Sequence, residues 1–216
     1  MLKLKIYTLG AFQVHTYLVW NPQTRSAILI DSGEAPDAAL ETLTQENLTL
    51  KALVYTHVHI DHVQGQSVIL DKYPDCPVYM HPEASFWLEK LPQQAAAYRL
   101  KLTGPVIQGQ ALNHGDELTF DGIRLQARYC PGHSPCSLTL YLPDATPEAG
   151  WAFVGDVIFA GAVGRTDFPR GDWLTLKHSI ETQVYTLPPQ TRLFCGHGQP
   201  TTVGHERATN PYVRLD

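Results

Sequence analysis

The feature that most constrains this chain is a run of six residues, HVHIDH, that places three histidines and an aspartate between His57 and His62. It directly follows Leu50 to Tyr55, which is apolar except for Lys51 and predicts a buried strand. Buried polar side chains need partners, because an unpaired buried polar group costs free energy. Imidazole nitrogens and carboxylate oxygens are common ligands of zinc and iron. The run therefore predicts a metal site at a strand end rather than a set of surface histidines.

The spacing within this run separates its members into two pairs. His57 and His59 are two residues apart, so on extended backbone their side chains leave on one side and can share an ion. Asp61 and His62 come where the chain turns into a helix and are displaced from the first pair. They suit a second ion, since two-metal hydrolytic sites have ions about 3.5–4 Å apart.

Three distant residues have the setting of further ligands. His133 lies in the sharp turn CPGHSPCS, and Asp156 ends the strand-like segment WAFVGD, where a carboxylate is able to bridge two cations. His197 lies in CGHGQP, where the flanking glycines permit close backbone approach to a site. Together they supply what HVHIDH lacks for two coordination shells. The other histidines are predicted to have ordinary structural roles: His15 between strands, His81, His114, His178 and His205.

The composition indicates an ordinary soluble protein. The chain has 216 residues, 17% charged and 44% hydrophobic, and without a linker it predicts a single domain over 1–216. A net charge of −5 argues against nucleic acid, because phosphate binding needs clustered Lys and Arg. No apolar stretch approaches the ~18 residues of a membrane span, and the start lacks a signal peptide, so we expect a cytoplasmic protein with four reduced cysteines.

Hydrophobic periodicity predicts two series of strands, each interrupted by helices. The predicted strands are 2–9, 16–20, 26–31, 50–55, 77–81, 117–120, 123–129, 137–142, 151–156 and 192–195. The predicted helices are 37–45, 64–72, one opened by Pro82, an Ala-rich one after Gln93, 172–187 with Asp172 as N-cap, and the tail from Thr201 to Pro211. This pattern indicates two packed sheets with helices outside and a site at the strand ends.

The motifs HVHIDH, PGH, GD and GHG, in this order, resemble the metallo-β-lactamase-fold superfamily, and in particular its glyoxalase II (hydroxyacylglutathione hydrolase) group. AVGRTDFP after Asp156 and the segment GHGQPTTVGHERATNPY support the same resemblance, which covers essentially the whole chain. It implies an α+β fold, the four-layer αβ/βα sandwich. The expected protein is a short form without the C-terminal helical region by which larger members bind glutathione.

The resemblance also implies which residues hold which ion. The cofactors would be two divalent metal ions, expected to be zinc, with iron or manganese as alternatives. The implied sets are His57, His59 and His133 for one ion, Asp61, His62 and His197 for the other, and Asp156 as the bridge. Cys136 and Cys195 stand where the group's pattern has Gly and Pro, and we expect packing roles for them rather than redox or metal contacts.

The leading hypothesis is hydrolysis of a small-molecule thioester of the S-lactoylglutathione type. Two cations lower the pKa of water toward neutrality, and the resulting hydroxide attacks the carbonyl carbon. Asp61 would orient that hydroxide. Arg165 is the candidate for binding a substrate carboxylate, because its planar guanidinium suits one.

A persulfide dioxygenase-like enzyme and another hydrolase of the metallo-β-lactamase fold stay open on the sequence, and two further functions are disfavoured. A persulfide dioxygenase uses a single iron held by two histidines and an aspartate, and His57 or His59 with His133 and Asp156 would provide them. A non-catalytic zinc module is disfavoured, because seven potential ligands exceed the four of a structural zinc. The antibiotic-hydrolysing branch is disfavoured because it lacks a bridging aspartate at the position of Asp156.

Overall fold

The first sheet of the computed structural model, which describes residues 1–215, contains six strands in the order β1-β2-β3-β4-β5-β6. Their bounds are β1 Lys3–Leu9, β2 Val14–Trp20, β3 Ser26–Ile30, β4 Thr49–Val54, β5 Val78–Met80 and β6 Gln110–Ala111. The pairs β1–β2 and β2–β3 are antiparallel, and the later pairs are parallel. Because β3 and β4 are parallel neighbours, the residues that follow them lie at one edge of the sheet.

Five short helices accompany this sheet. They are α1 Asp37–Gln45, α2 Ile60–Val63, α3 Gln66–Lys72, α4 Ser85–Leu88 and α5 Leu91–Tyr98, with a 3₁₀ turn at Pro82–Ala84 before α4. The sequence of α1 favours a helix because Ala39, Leu40 and Leu43 fall on one helical face, and this face is buried. Helix α2 begins inside HVHIDH, as the change of spacing in that run predicts.

The second sheet also has six strands, in the order β14-β13-β10-β9-β8-β7. The strands of this part are β7 Glu117–Phe120, β8 Ile123–Tyr129, β9 Leu138–Leu142, β10 Trp151–Gly155, the hairpin β11 Ile158–Phe159 with β12 Ala162–Val163, β13 Arg192–Cys195 and β14 Thr201–Thr202. Strands β10 and β13 are parallel neighbours, so their carboxyl ends adjoin. The helices are α6 Trp173–Ser179, continued by a π-helical turn at Ile180–Val184, and α7 Val203–Thr209.

Helix α6 packs on the second sheet through an apolar cluster that contains Leu176, Ile180, Val154 and Leu193. Asp172 caps the helix as predicted, and its side chain accepts a hydrogen bond of 2.7 Å from the backbone N–H of Thr175. Such a cap contributes about 1 kcal/mol to stability.

The chain divides into two compact units. The N-terminal unit comprises residues 2–112 and 120–122, and the C-terminal unit comprises Met1, 113–119 and the chain from 123 onward. The prediction of a single domain is not tested by this division and stays a prediction. Within residues 1–215, no helix is both long and apolar enough to cross a lipid bilayer.

Most predicted elements are confirmed, with differences of at most three residues at their ends. The helix predicted over 172–187 is α-helical over Trp173–Ser179 and continues as a π-helical turn to Val184. The placement of His15 between strands was wrong, since His15 lies within β2 and pairs with Thr8 of β1. The physical reason is a tight turn: Gly10 and Gln13 both have positive φ, and Gln13 N donates to the carbonyl of Gly10 at 3.2 Å. Pairing therefore resumes at Val14, two residues earlier than predicted.

Candidate metal centre

In the N-terminal unit, the four polar residues of HVHIDH converge just beyond the end of β4. The Nε2 atom of His57 lies 3.1 Å from Nδ1 of His59, and the rings of His57 and His62 have centroids 4.0 Å apart. Nε2 of His62 lies 3.7 Å from Oδ2 of Asp61. The three imidazoles are buried, and the Asp61 side chain is 16% exposed. The structure thus brings these four predicted residues together, while their roles as metal ligands stay a prediction.

The donor atoms of this cluster are of the type that binds metal ions, and their separations lie just outside the range expected for two ligands of one ion. Two ligand atoms that each lie ~2.0–2.2 Å from one tetrahedral ion are roughly 3.3–3.6 Å apart. The observed 3.1 and 3.7 Å lie on either side of this range, and 3.7 Å is too long for a direct hydrogen bond. Imidazole nitrogen with carboxylate oxygen is also the donor set that zinc and iron prefer.

Asp31 holds His62 in one orientation. Oδ2 of Asp31 lies 2.8 Å from Nδ1 of His62, and the same carboxylate accepts hydrogen bonds from the backbone N–H and the hydroxyl of Thr56, at 2.8 and 2.7 Å. Because a carboxylate accepts, Nδ1 of His62 carries a proton, and in the neutral imidazole the lone pair is then on Nε2, toward Asp61. That is the tautomer that binds a metal through Nε2.

Sequence reasoning placed Asp31 only at the end of a strand and missed this role. The parallel register pairs Ile30 of β3 with Val54 of β4, so Asp31 lies beside the segment that leads into His57. The residue has φ of +55°, a left-handed conformation that Asp tolerates better than most residues. The signal that could have revealed it is a carboxylate directly after a buried strand whose partner strand ends in HVHIDH.

Two further contacts position the His59 side of this cluster. The ring of His59 stands edge to face on the buried Trp87, with centroids 4.8 Å apart. The side-chain oxygen of Gln94 in α5 accepts a hydrogen bond of 3.1 Å from the backbone N–H of Ile60, the first residue of α2. The Ala-rich helix was predicted, but its contact with the histidine motif was not.

In the C-terminal unit, two predicted histidines lie next to the carboxylate of a third predicted residue, Asp156. Oδ2 of Asp156, which follows β10, lies 3.6 Å from Nε2 of His133 and 3.6 Å from Nε2 of His197, which follows β13. Both separations exceed a direct hydrogen bond and match two ligands of one ion. The His197 side chain is 28% exposed and that of Asp156 is 13% exposed, so solvent reaches both side chains.

The backbone around His133 orients its ring. Nδ1 of His133 donates to the carbonyl oxygen of Arg165 at 2.8 Å, which leaves the lone pair on Nε2, facing Asp156. Gly132 has φ of +131°, and a Cβ there would lie 2.4 Å from the backbone of Leu176. Only glycine therefore fits without strain directly before His133.

Arg165 contributes to the centre through its carbonyl, a role that sequence reasoning missed. Its guanidinium, predicted to bind a substrate carboxylate, forms two hydrogen bonds with Asp167, at 2.6 and 2.5 Å, and lies 4.3 Å from the Phe168 ring centroid. The hydrogen bond from Arg165 holds the pKa of the Asp167 carboxyl below its usual value. The substrate role of Arg165 stays a prediction.

All four cysteines are buried and none forms a disulfide. Sγ of Cys136 lies 3.2 Å from the hydroxyl of Ser134, and burial, followed by the charges of Asp156 and Glu206, raises the pKa of the Cys195 thiol to about 12. The burial of both thiols is consistent with packing roles.

Two of the remaining histidines bind backbone groups. The ring of His81 accepts from the N–H of Glu83, and that of His114 accepts from the N–H of Tyr129.

Comparison with known proteins identifies the family. The profile of the metallo-beta-lactamase superfamily matches residues 9–197. The chain is 34% identical to hydroxyacylglutathione hydrolase GloC of Haemophilus influenzae, over 98% of both chains. It is 30% identical to the mitochondrial persulfide dioxygenase ETHE1 of Mus musculus, over 93% of this chain and 72% of that one.

Two solved structures have the same fold as this chain. BLEG-1 B3 metallo-beta-lactamase superposes with a TM-score of 0.86 at 30% identity, over 98% of this chain and 99% of that chain. TTHA1623 in a di-iron-bound form gives a TM-score of 0.84 at 34% identity, over 96% and 99%. The chain therefore belongs to the metallo-beta-lactamase superfamily, and the predicted fold class is confirmed. It is a hydrolase of the metallo-beta-lactamase fold, a fold that implies divalent metal ions.

Proposed function

We propose that this protein is a metal-dependent thioesterase that hydrolyses small thioesters of the S-lactoylglutathione type. The observation that carries the proposal is the likeness to the hydroxyacylglutathione hydrolase GloC, which extends over 98% of both chains. Likeness along the whole length includes every loop that carries a predicted ligand, whereas fold alone does not specify a substrate.

The proposal places two divalent cations among the seven residues. One would be held by His57, His59 and His133, the other by Asp61, His62 and His197, and Asp156 would contribute to both sites. Support comes from the ligand-like spacing within each unit and from the hydrogen bonds that set Nε2 of His62 and of His133 as the donor atoms. A relative crystallised in a di-iron-bound form, 34% identical, supports two ions and leaves zinc, iron and manganese open.

When bound, the cations supply a lowered pKa for water and electrostatic stabilisation of the negative charge that develops on the carbonyl oxygen. The residues of the chain bind the cations and orient the attacking water. Asp156 has two carboxylate oxygens and is therefore able to contact both cations. The partly exposed carboxylate of Asp61 accepts a hydrogen bond from the attacking water and so orients it toward the carbonyl carbon. A thiolate leaves readily, so the chain needs no strong general acid.

A second candidate function rests on the likeness to persulfide dioxygenase ETHE1 over 93% of this chain. Two histidines with one carboxylate are the ligand set of non-haem iron oxygenases, and His57 or His59 with His133 and Asp156 would provide it. The presence of Asp61, His62 and His197 favours hydrolysis, because a mononuclear site leaves these three without a role.

The test combines metal analysis with three assays on protein purified under air-free conditions. The assays are hydrolysis of S-lactoylglutathione, oxygen uptake with glutathione persulfide, and hydrolysis of a β-lactam, which the likeness to BLEG-1 makes worth measuring. We expect two metal ions per chain and thioesterase activity that a chelator abolishes. His59→Ala should lose that activity, whereas His178→Ala, an exposed histidine on α6, should keep it.

Each alternative has a distinct result. One iron per chain with oxygen uptake and no thioester hydrolysis supports the dioxygenase. Two ions without thioesterase activity under any metal loading refutes the substrate proposal. Equal activity of the His59→Ala and His178→Ala variants refutes the proposed site.

A further inference from the structure

The C-terminal unit contains a buried carboxylate that the proposed chemistry does not use. Glu206 of α7 is fully buried, and its two oxygens have three donors: the backbone N–H of Gly161 at 3.0 Å, the side-chain amide of Asn210 at 2.8 Å and the hydroxyl of Thr201 at 2.6 Å. The exposed ring of His205 lies 4.0 Å away. Burying a carboxylate is costly, so this position is expected to have a specific purpose.

The first donor lies at the tip of the β11–β12 hairpin. Gly161 adopts φ of +70°, and Asn210 extends the contact by donating to the neighbouring carbonyl of Ala162 at 3.0 Å. Glu206 and Asn210, one helical turn apart on the same face, therefore bind two neighbouring backbone groups at the tip of the hairpin.

The two ends of that hairpin lead to two proposed ligands. The strand β11 begins two residues after Asp156. Gly164 directly follows β12 and packs closely on two of these residues. A Cβ on Gly164 would lie 1.9 Å from the carbonyl oxygen of Asp156 and 3.1 Å from Cβ of His133. The next residue, Arg165, accepts the hydrogen bond from Nδ1 of His133. Fixing the tip of this short hairpin thus limits movement at both ligands.

The third donor, Thr201, connects Glu206 with the third proposed ligand, His197. Thr201 follows His197 by four residues, and Gly196, directly before His197, donates its N–H to the carbonyl of Gly155 at 2.7 Å. The loop that carries His197 is therefore held at both ends, at one by the residue before Asp156 and at the other by Glu206.

We propose that Glu206 is a positioning residue that sets the geometry of His133, Asp156 and His197 by tying the β11–β12 hairpin to the loop after β13. This inference rests on the proposed metal site. In Glu206→Gln the side-chain oxygen stays with the N–H of Gly161 and the NH₂ group donates to the hydroxyl of Thr201, so the bonds of both ties lose the strength that the negative charge gives them. Mutation of a residue that supports metal ligands typically lowers metal affinity by ~10–100-fold.

The test compares Glu206→Gln with Glu148→Gln, which removes an exposed carboxylate from the same unit. NMR spectra of the metal-free proteins would follow the Gly161 amide and the Nδ1–H and ring signals of His133 and His197. Chelator competition would then give the affinity for zinc. We expect shifts of the histidine signals, faster exchange of the Gly161 amide and the stated loss of affinity in Glu206→Gln alone, with Thr201→Val affecting the His197 signals more than those of His133.

Unchanged His133 and His197 signals in folded, metal-free Glu206→Gln would overturn the inference, even if the variant is less stable to urea. Wild-type affinity for zinc in that variant would overturn it as well. Failure of the proposed function gives a different result, because a wild-type protein that binds no metal refutes the site, while the metal-free spectra still decide the role of Glu206.

Discussion

Replacing Asp31 with asparagine keeps the side-chain shape but should change the tautomer of His62. The backbone N–H of Thr56 holds one oxygen of Asp31 at 2.8 Å, so the asparagine oxygen remains there and its NH₂ group faces Nδ1 of His62. The NH₂ group of asparagine is a donor, so Nδ1 of His62 must become an acceptor, and the proton of the ring moves to Nε2. Asparagine tolerates the φ of +55° at this position, so the backbone should not be strained.

The consequence is a weaker site for the ion assigned to Asp61, His62 and His197. Loss of an outer contact to a ligating histidine costs ~10–100-fold in metal affinity, equivalent to about 1.4–2.8 kcal/mol. The metal-free protein should also lose about 1.5–3 kcal/mol of unfolding free energy, the usual contribution of one hydrogen bond to a charged group.

Chelator competition measures the affinity, urea unfolding of the metal-free protein measures the stability, and ¹⁵N shifts of the histidine rings report the tautomer. Asp121→Asn is the matched control, since Asp121 also has positive φ but its side chain is 54% exposed and pairs with Lys51. An Asp31→Asn protein with wild-type metal affinity and the proton of His62 still on Nδ1 would refute the reasoning.

Three further predictions follow from the C-terminal unit. Gly132→Ala should lower the unfolding free energy in urea by ~2–4 kcal/mol, because it combines a strained φ with overlap on Leu176; an unchanged midpoint would contradict this. Burial raises the thiol pKa values of Cys130 and Cys195 to about 11 and about 12, so both should react with Ellman's reagent at pH 8 only after unfolding. In the folded protein the rate of labelling should rise with pH, and rapid labelling of these two cysteines at pH 8 would refute their burial. Arg165→Ala should raise KM for a carboxylate-bearing thioester about tenfold, as expected for one charged contact, and an unchanged KM would remove the role proposed for its side chain.

The parts of the fold that the sequence predicted well are those with strong local signals. The helix over Asp37–Gln45 was predicted with its observed bounds, because its apolar spacing and its flanking residues agree. The same holds for Arg192–Cys195, an apolar strand that begins shortly after Pro188-Pro189 and ends at a glycine. The stretch after Tyr98 forms no helix or strand before β6, which agrees with the helix-breaking Gly104 and Pro105.

The candidate site was predictable only in its own side chains. HVHIDH, His133, Asp156 and His197 could be recognised by residue type and by their position after strands or in turns. The role of Asp31 could be recognised only together with the pairing of β3 and β4, which no local pattern encodes. The role of the Arg165 carbonyl depends on backbone direction, which side-chain type does not reveal. The tie from Glu206 to Gly161, 45 residues apart, is of the same kind.

The central claim is that seven side chains from both units bind a pair of cations. Anomalous X-ray diffraction from crystals grown with zinc tests this most directly. The account predicts two peaks about 3.5–4 Å apart, one contacted by His57, His59 and His133, the other by Asp61, His62 and His197, and both by Asp156. A single peak elsewhere on the protein, or none at these residues in zinc-saturated crystals, would contradict it.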